Sequence, residues 1–240
     1  MIDAVLLTTA RLCTFAGAEP LTNATSFFFA RDERLFVVTS GHVLHDESSG
    51  HHPDRLEIEL HTDADNLAES TGFSMPLYRN GKSLWRQGMD AAGGIDVALL
   101  EVNRQALPAS AVYEAFTPAN LMSARERVEV GSTLVVIGFP LGFHDTLHHI
   151  PVARHAVLAS AWGLRFQGEG LFLTDGRTHR GSSGAPVVMR ASRGAPKALP
   201  WKLLGVHSSR LDIGTRDLAL DEALGLNCAW YADILLTLTE

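Results

Sequence analysis

The chain of 240 residues is poor in cysteine, in aromatic side chains and in long apolar runs, and each scarcity excludes something. Two cysteines far apart in sequence, Cys13 and Cys228, cannot make a disulfide framework and are expected as buried thiols in a reducing compartment. No apolar stretch approaches the ~20 residues needed to cross a bilayer. Basic residues are outnumbered: 20 Lys and Arg against 27 Asp and Glu give a formal charge of −7. That balance argues against nucleic acid or an anionic membrane as the main partner. Internal repeats and low-complexity tracts are absent too. The opening "MIDAVLLTTARLCTFAG" carries Asp3 and no basic cluster before its short apolar run, which makes a poor secretory leader, so a cytoplasmic location is expected.

What the chain does have is ordinary globular composition, 46% hydrophobic and 20% charged, distributed over many short strand-like runs. Val5 to Thr9 reads as a first strand. "TSFFFARDERLFVVTS" reads as two strands joined by the charged turn Arg31-Asp32-Glu33-Arg34, and "DRLEIELHTD" alternates through Leu56, Ile58 and Leu60 with the period of a half-buried strand. "GIDVALLEV", "STLVVIGFP", "ARHAVLASAW", "GLFLTD", "APVVM" and "WKLLGVHSS" follow, divided by turns bearing Gly or Pro. The tail is expected to be helical from about Trp230, with Ile234, Leu235 and Leu238 on one face. Short strands at regular spacing on either side of one irregular connector predict an all-β fold of two antiparallel barrels or sandwiches. Residues 1–108 form the first, 109–123 the connector, and 124–240 the second together with the terminal helix.

Chemistry concentrates in three segments. "HRGSSGAPVV" holds Ser182 and Ser183 between Gly181 and Gly184, a turn in which glycine lets the backbone approach a reacting group closely. Acyl transfer by serine also needs a neutral imidazole to take its proton, a carboxylate to orient the imidazole, and backbone N–H groups aimed at the developing oxyanion. "LFVVTSGHVL" delivers His42 where a buried strand surfaces, and "GIDVALLEV" places Asp96 at the start of another, where an unpaired carboxylate would be costly. Singly, each has a plain structural reading: a satisfied histidine, a residue ending a turn, a small-residue loop.

Together, in the order His, Asp, Ser, the three resemble the chymotrypsin-like (trypsin-like) serine protease family, bacterial type. Its marks are T-A-x-H, D-[IVL]-A-L and G-x-S-G-x-P. They stand here as Thr39-Ser40-Gly41-His42, Asp96-Val97-Ala98-Leu99 and Gly181-Ser182-Ser183-Gly184-Ala185-Pro186. The resemblance implies two six-stranded antiparallel β-barrels with a short C-terminal helix, together one peptidase unit. It implies Ser183 as nucleophile, His42 as general base and then acid, Asp96 as its orienter, and the N–H groups of Gly181 and Ser183 as the oxyanion hole. Ser182 replaces the Asp or Asn of other members, so activation through an ion pair with a freshly cut N-terminus is not expected. Thr178 and His207 resemble the specificity pocket of glutamyl endopeptidases, implying a preference for Glu, or Gln or Asp, before the cleaved bond. Ser208 would begin the edge that pairs with an extended substrate.

The partner implied is a protein or peptide substrate, with no cofactor and no metal; oligomeric state is not legible. His42 and His45 with Asp46, or His144, His148 and His149 with Asp145, invite a metal, but there is no HExxH and no Cys/His quartet at zinc spacing. The rival reading is a catalytically inactive module that keeps the protease scaffold and binds extended peptides. An ester hydrolase on the same scaffold is a lesser one.

Overall fold

Three consecutive phenylalanines show how the chain is layered. Successive side chains of a strand point to opposite faces, and Phe27 and Phe29 enter one core while Phe28 enters another. The structure, a computed structural model, describes residues 2–123, 126–191, 199–211 and 225–240. The phenylalanines lie on β2 (Glu19–Arg31), which pairs with β1 (Thr9–Ala16) and β3 (Arg34–Thr39). The charged turn falls where expected: Asp32 and Glu33 both have positive φ, the two-residue hairpin geometry that follows strand twist.

The N-terminal half is a seven-stranded antiparallel sheet. It adds β4 (Arg55–His61), β5 (Ser70–Pro76), β8 (Trp85–Asp90) and β9 (Gly93–Glu101) in the order β5-β4-β1-β2-β3-β9-β8, with a small hairpin of β6 (Tyr78–Arg79) and β7 (Lys82–Ser83) beside it. The C-terminal half is a closed six-stranded barrel of β10 (Thr133–Gly138), β11 (Val152–Leu158), β12 (Leu171–Asp175), β13 (Pro186–Arg190), β14 (Trp201–Arg210) and β15 (Leu226–Tyr231). Two six-stranded barrels were expected; the second is present, whereas the first half has seven strands. Among the described residues no ladder joins edge strands β5 and β8. Edge β8 is instead covered by the C-terminal helix, whose Leu238 carbonyl accepts from Arg86 at 3.0 Å and whose Ile234 packs over Gly88.

Alternation sorts the apolar residues into three cores. Phe28, Val37, Ile58 and Leu100 pack together on one side of the first sheet, and Leu134, Val136, Phe172 and Val187 fill the barrel. Phe27, Phe36, Leu99, Ile137, Val206 and Trp230 form a third core between the halves. At ~25 cal/mol per Å² of apolar surface, a shared core of this kind fixes the halves against each other, and the functional segments surface along that seam.

Two local expectations fail. Ala4–Thr8 is a 3₁₀ turn and β1 begins only at Thr9, because the Asp3 carboxylate caps the Val5 N–H (3.3 Å) and the Thr8 hydroxyl donates to the Val5 carbonyl (2.6 Å). Trp230 lies in β15, and the terminal helix is Ile234–Leu238, with Leu235 and Leu238 buried. Cys13 and Cys228 are free thiols, the first half-buried and the second buried. No described helix is long and apolar enough to cross a membrane.

Candidate active site

His42 reaches the seam because β3 ends at Thr39 and the chain turns at once into the single helical turn α1 (Gly41–Leu44). Asp96 comes from β9, where Ile95 and Val97 point into the core between the halves and Asp96 points the other way, under α1. Its carboxylate grips His42 twice. One oxygen accepts the His42 backbone N–H at 2.8 Å, and the other lies 2.8 Å from ring Nδ1. A third donor, the Ser208 hydroxyl, reaches the same outer oxygen at 2.5 Å. Gly41 makes room for this: a Cβ there would sit 2.6 Å from the Gln87 amide and 3.1 Å from Asp96.

A carboxylate only accepts, so Nδ1 carries the proton and Nε2 keeps its lone pair. Burial alone would pull the His42 ring below its ordinary pKa; the hydrogen bond and charge of Asp96, with a smaller contribution from Asp46, outweigh it and carry the pKa upward.

Ser183 sits in a turn stitched to both halves. Its carbonyl accepts from Thr25 N–H (3.0 Å), the Gly181 carbonyl accepts from the Thr25 hydroxyl (2.7 Å), and Gly184 N–H donates to the His207 carbonyl (2.8 Å). Gly184 has φ +85, and a Cβ there would meet the Thr25 carbonyl at 2.2 Å, so only glycine fits. Gly181 has φ +88 and a site for Cβ 2.5 Å from the Phe139 carbonyl. The Arg180 carbonyl is held by Leu141 N–H at 2.5 Å, which turns the Arg180–Gly181 peptide so that its N–H points away from that bond. Among the described residues, neither the Gly181 nor the Ser183 N–H has an acceptor. The Ser183 hydroxyl donates to the Ser208 carbonyl at 3.0 Å, and no hydrogen bond joins it to His42. His42, Gly181 and Ser183 all line one open cleft of about 610 Å³.

The other expected site residues lie deeper. Thr178 is buried, its hydroxyl bonded to Asn227, whose amide in turn donates to Gly176 and Gly225 carbonyls. His207 is 2% exposed, with Nδ1 unpartnered, and burial, reinforced by His42, pushes its pKa down to about 4. Neither lines the cleft. Ser208 is the extra residue of a bulge between β14 and β15, which re-aims its side chain at Asp96. That use of Ser208, and the bridging use of Thr25, carry no local sequence signal. Of the histidine groups, His45 and His52 meet at 3.2 Å through their Nδ1 atoms, and His148 bonds Asp145 at 2.8 Å. Among the described residues no three His, Cys, Asp or Glu gather as metal ligands.

Residues 24–194 match the trypsin-like peptidase domain. The chain belongs to that family. Among solved structures it is similar to the Rv3671c protease of M. tuberculosis. The inactive form shares 17% identity at a TM-score of 0.52, covering 98% of this chain and 88% of that one. The active form shares 16% at 0.52, covering 98% and 80%. At these identities the likeness is one of fold. No curated protein matches in sequence.

Proposed function

We propose that the chain is a serine endopeptidase that cleaves peptide bonds through an acyl-enzyme. The observation that carries the reading is the double hold of Asp96 on His42 beside the Gly181 and Ser183 N–H groups, which have no acceptor among the described residues. In the first step Nε2 of His42 takes the Ser183 proton as Oγ attacks the carbonyl. The oxyanion that forms is received by the N–H groups of Gly181 and Ser183, and His42 then hands its proton to the leaving amine. Water repeats the sequence to release the acyl group. To begin, Ser183 must leave the Ser208 carbonyl for His42, a change of side-chain rotamer at a half-exposed residue.

The preference before the cleaved bond is for Glu, or Gln or Asp. Thr178 and His207 support it by position. Thr178 lies five residues before Ser183, and the His207 carbonyl braces the nucleophile turn through Gly184 N–H at 2.8 Å and the Ser40 hydroxyl at 3.1 Å. An imidazole N–H is a donor suited to a side-chain carboxylate or amide, and the Thr178 hydroxyl becomes a second one on releasing Asn227. A fluorogenic peptide panel tests this, and faster cleavage after Arg, Phe or Ala than after Glu overturns it.

One observation favours a second reading, a peptide-binding module without catalysis: the Ser183 hydroxyl rests on Ser208 rather than on His42. A fluorophosphonate probe separates the two. Labelling that vanishes in Ser183→Ala supports the hydrolase; folded protein that never labels supports the module.

A further inference from the structure

The cleft beside Ser183 has a direction. In the proposed reaction, on which this inference rests, His42 delivers its proton to the leaving amine, so the leaving-group half of the substrate lies on the His42 side. Besides His42, Gly181 and Ser183, the same cleft is lined by Leu21, Val43, Asp46, Leu141 and Arg180. Thr178, His207 and Ser208, which belong to the other half of the substrate, do not line it.

Apart from its histidines, the lining of this cleft carries two ionisable side chains, Asp46 and Arg180. The Asp46 carboxylate is already engaged: the Ser48 N–H and the Ser48 and Ser49 hydroxyls donate to it at 3.0, 2.7 and 2.6 Å, and these bonds hold its pKa down to about 2. Three of its acceptor directions are taken by neutral donors of its own loop, which leave it charged. Arg180 is the opposite case. It is exposed, and among the described residues no hydrogen bond or ion pair engages its guanidinium. A guanidinium offers five N–H donors in a planar fork that matches a carboxylate. Its backbone is fixed one residue before Gly181 by the bond from Leu141 N–H at 2.5 Å, so the side chain is carried on a rigid stem next to the reacting atoms. Leu21 and Leu141, 39% and 71% exposed, supply apolar surface in the same cleft.

We propose that Arg180 is a specificity-determining residue that selects substrates with an acidic side chain in the first two positions after the cleaved bond. The chain's negative net charge gives no general attraction for acidic peptides, so the selection is local to this cation and weakens as salt screens it.

The test uses peptides of one sequence before the cleaved bond and Glu, Gln or Lys at the first and second positions after it. Wild type is expected to cleave the Glu peptides about fivefold or more faster in kcat/KM than the Gln peptides at low salt, in the range of a partly exposed charge pair. Arg180→Gln should abolish the difference and Arg180→Glu should invert it in favour of Lys. Cleavage with equal rates, or a preference that survives Arg180→Gln, overturns the inference and leaves the endopeptidase reading intact. If folded wild type cleaves no peptide, the endopeptidase reading falls, and binding of the same labelled peptides to Ser183→Ala decides the site. Tighter binding of the Glu peptides that disappears in Ser183→Ala/Arg180→Gln upholds the acidic preference, and equal or absent binding overturns it.

Discussion

Asp96 holds His42 at two points, the backbone N–H and ring Nδ1, each at 2.8 Å and each through a different carboxylate oxygen. One side chain therefore fixes both where the α1 turn sits and how its imidazole faces. The two strands that supply these residues are adjacent in the sheet: Thr39 at the end of β3 pairs with Ala98 on β9. The register of one ladder thus sets the geometry of the pair.

Replacing Asp96 by Asn tests that pair. The amide can still accept at one atom, so the fold should persist, but it presents no charge to an imidazolium and allows the other ring tautomer. Peptidase kcat should fall by about 10⁴-fold, the scale known for this change in an orienting carboxylate. Single-turnover assays beside circular dichroism separate a lost base from a lost fold.

In the proposed mechanism the raised pKa of His42 would set the acid limb of activity. Burial lowers it, but Asp96 more than compensates. Catalysis needs the neutral ring, so kcat/KM should fall on acidification with a midpoint above the ~6.5 of an unperturbed histidine. In Asp96→Asn the midpoint should move down. The same shift has the opposite sense for stability: it favours the folded state below ~6.5 and that contribution is lost as pH rises through the raised value. A flat profile between pH 5 and 8 would remove His42 from the role of base.

Gly181 has φ +88 and no space for a side chain, its Cβ site being 2.5 Å from the Phe139 carbonyl. Alanine there must push the turn away from Phe139 and rotate the Arg180–Gly181 peptide. Losing one oxyanion donor costs kcat about 10² to 10³-fold. Gly181→Ala should show that loss with KM little changed, measured on the best peptide of the panel.

The candidate positions His42, Asp96 and Ser183 were legible because three short motifs stood in order along the chain. Strands rich in apolar residues, such as β3 and β10, were legible because a buried strand must be apolar wherever it meets a core. The edge strands were not. β8 reads "WRQGMD", with one fully buried residue, Gly88, and its place depends on pairing with β9 and cover from the terminal helix. The seven-strand count followed from such edges. The role of Ser208 depends on a bulge, and that of Thr25 on a partner 156 residues away in sequence, Gly181, so neither left a periodic trace.

Ser208 gives a prediction that separates support from substrate binding. Its hydroxyl donates to Asp96, while its backbone carbonyl accepts from Ser183. Ser208→Ala removes only the first. A hydrogen bond to a charged group is worth about 1.5–3 kcal/mol, so kcat should drop roughly tenfold to a hundredfold. If the hydroxyl instead contacted substrate without supporting Asp96, KM would rise and kcat would hold. Steady-state kinetics on one peptide distinguishes the two.

His207 predicts how the protein responds to acid. The ring is 2% exposed, and desolvation, with His42 acting in the same direction and Asp96 against it, pushes its pKa down to about 4. Between ~6.5 and 4 the unfolded chain binds a proton that the folded chain does not, so stability declines as pH falls through that window, by up to about 3 kcal/mol. Leucine is close to histidine in volume and does not titrate. It also removes the unpartnered Nδ1, while the backbone bonds from His207 N–H to Ala185 and from Gly184 N–H to His207 are kept. His207→Leu should therefore flatten the dependence of unfolding free energy on pH between 6.5 and 4, read by urea denaturation at a series of pH values. An unchanged slope in the variant would place the acid sensitivity on another group and leave the buried ring without a part in it.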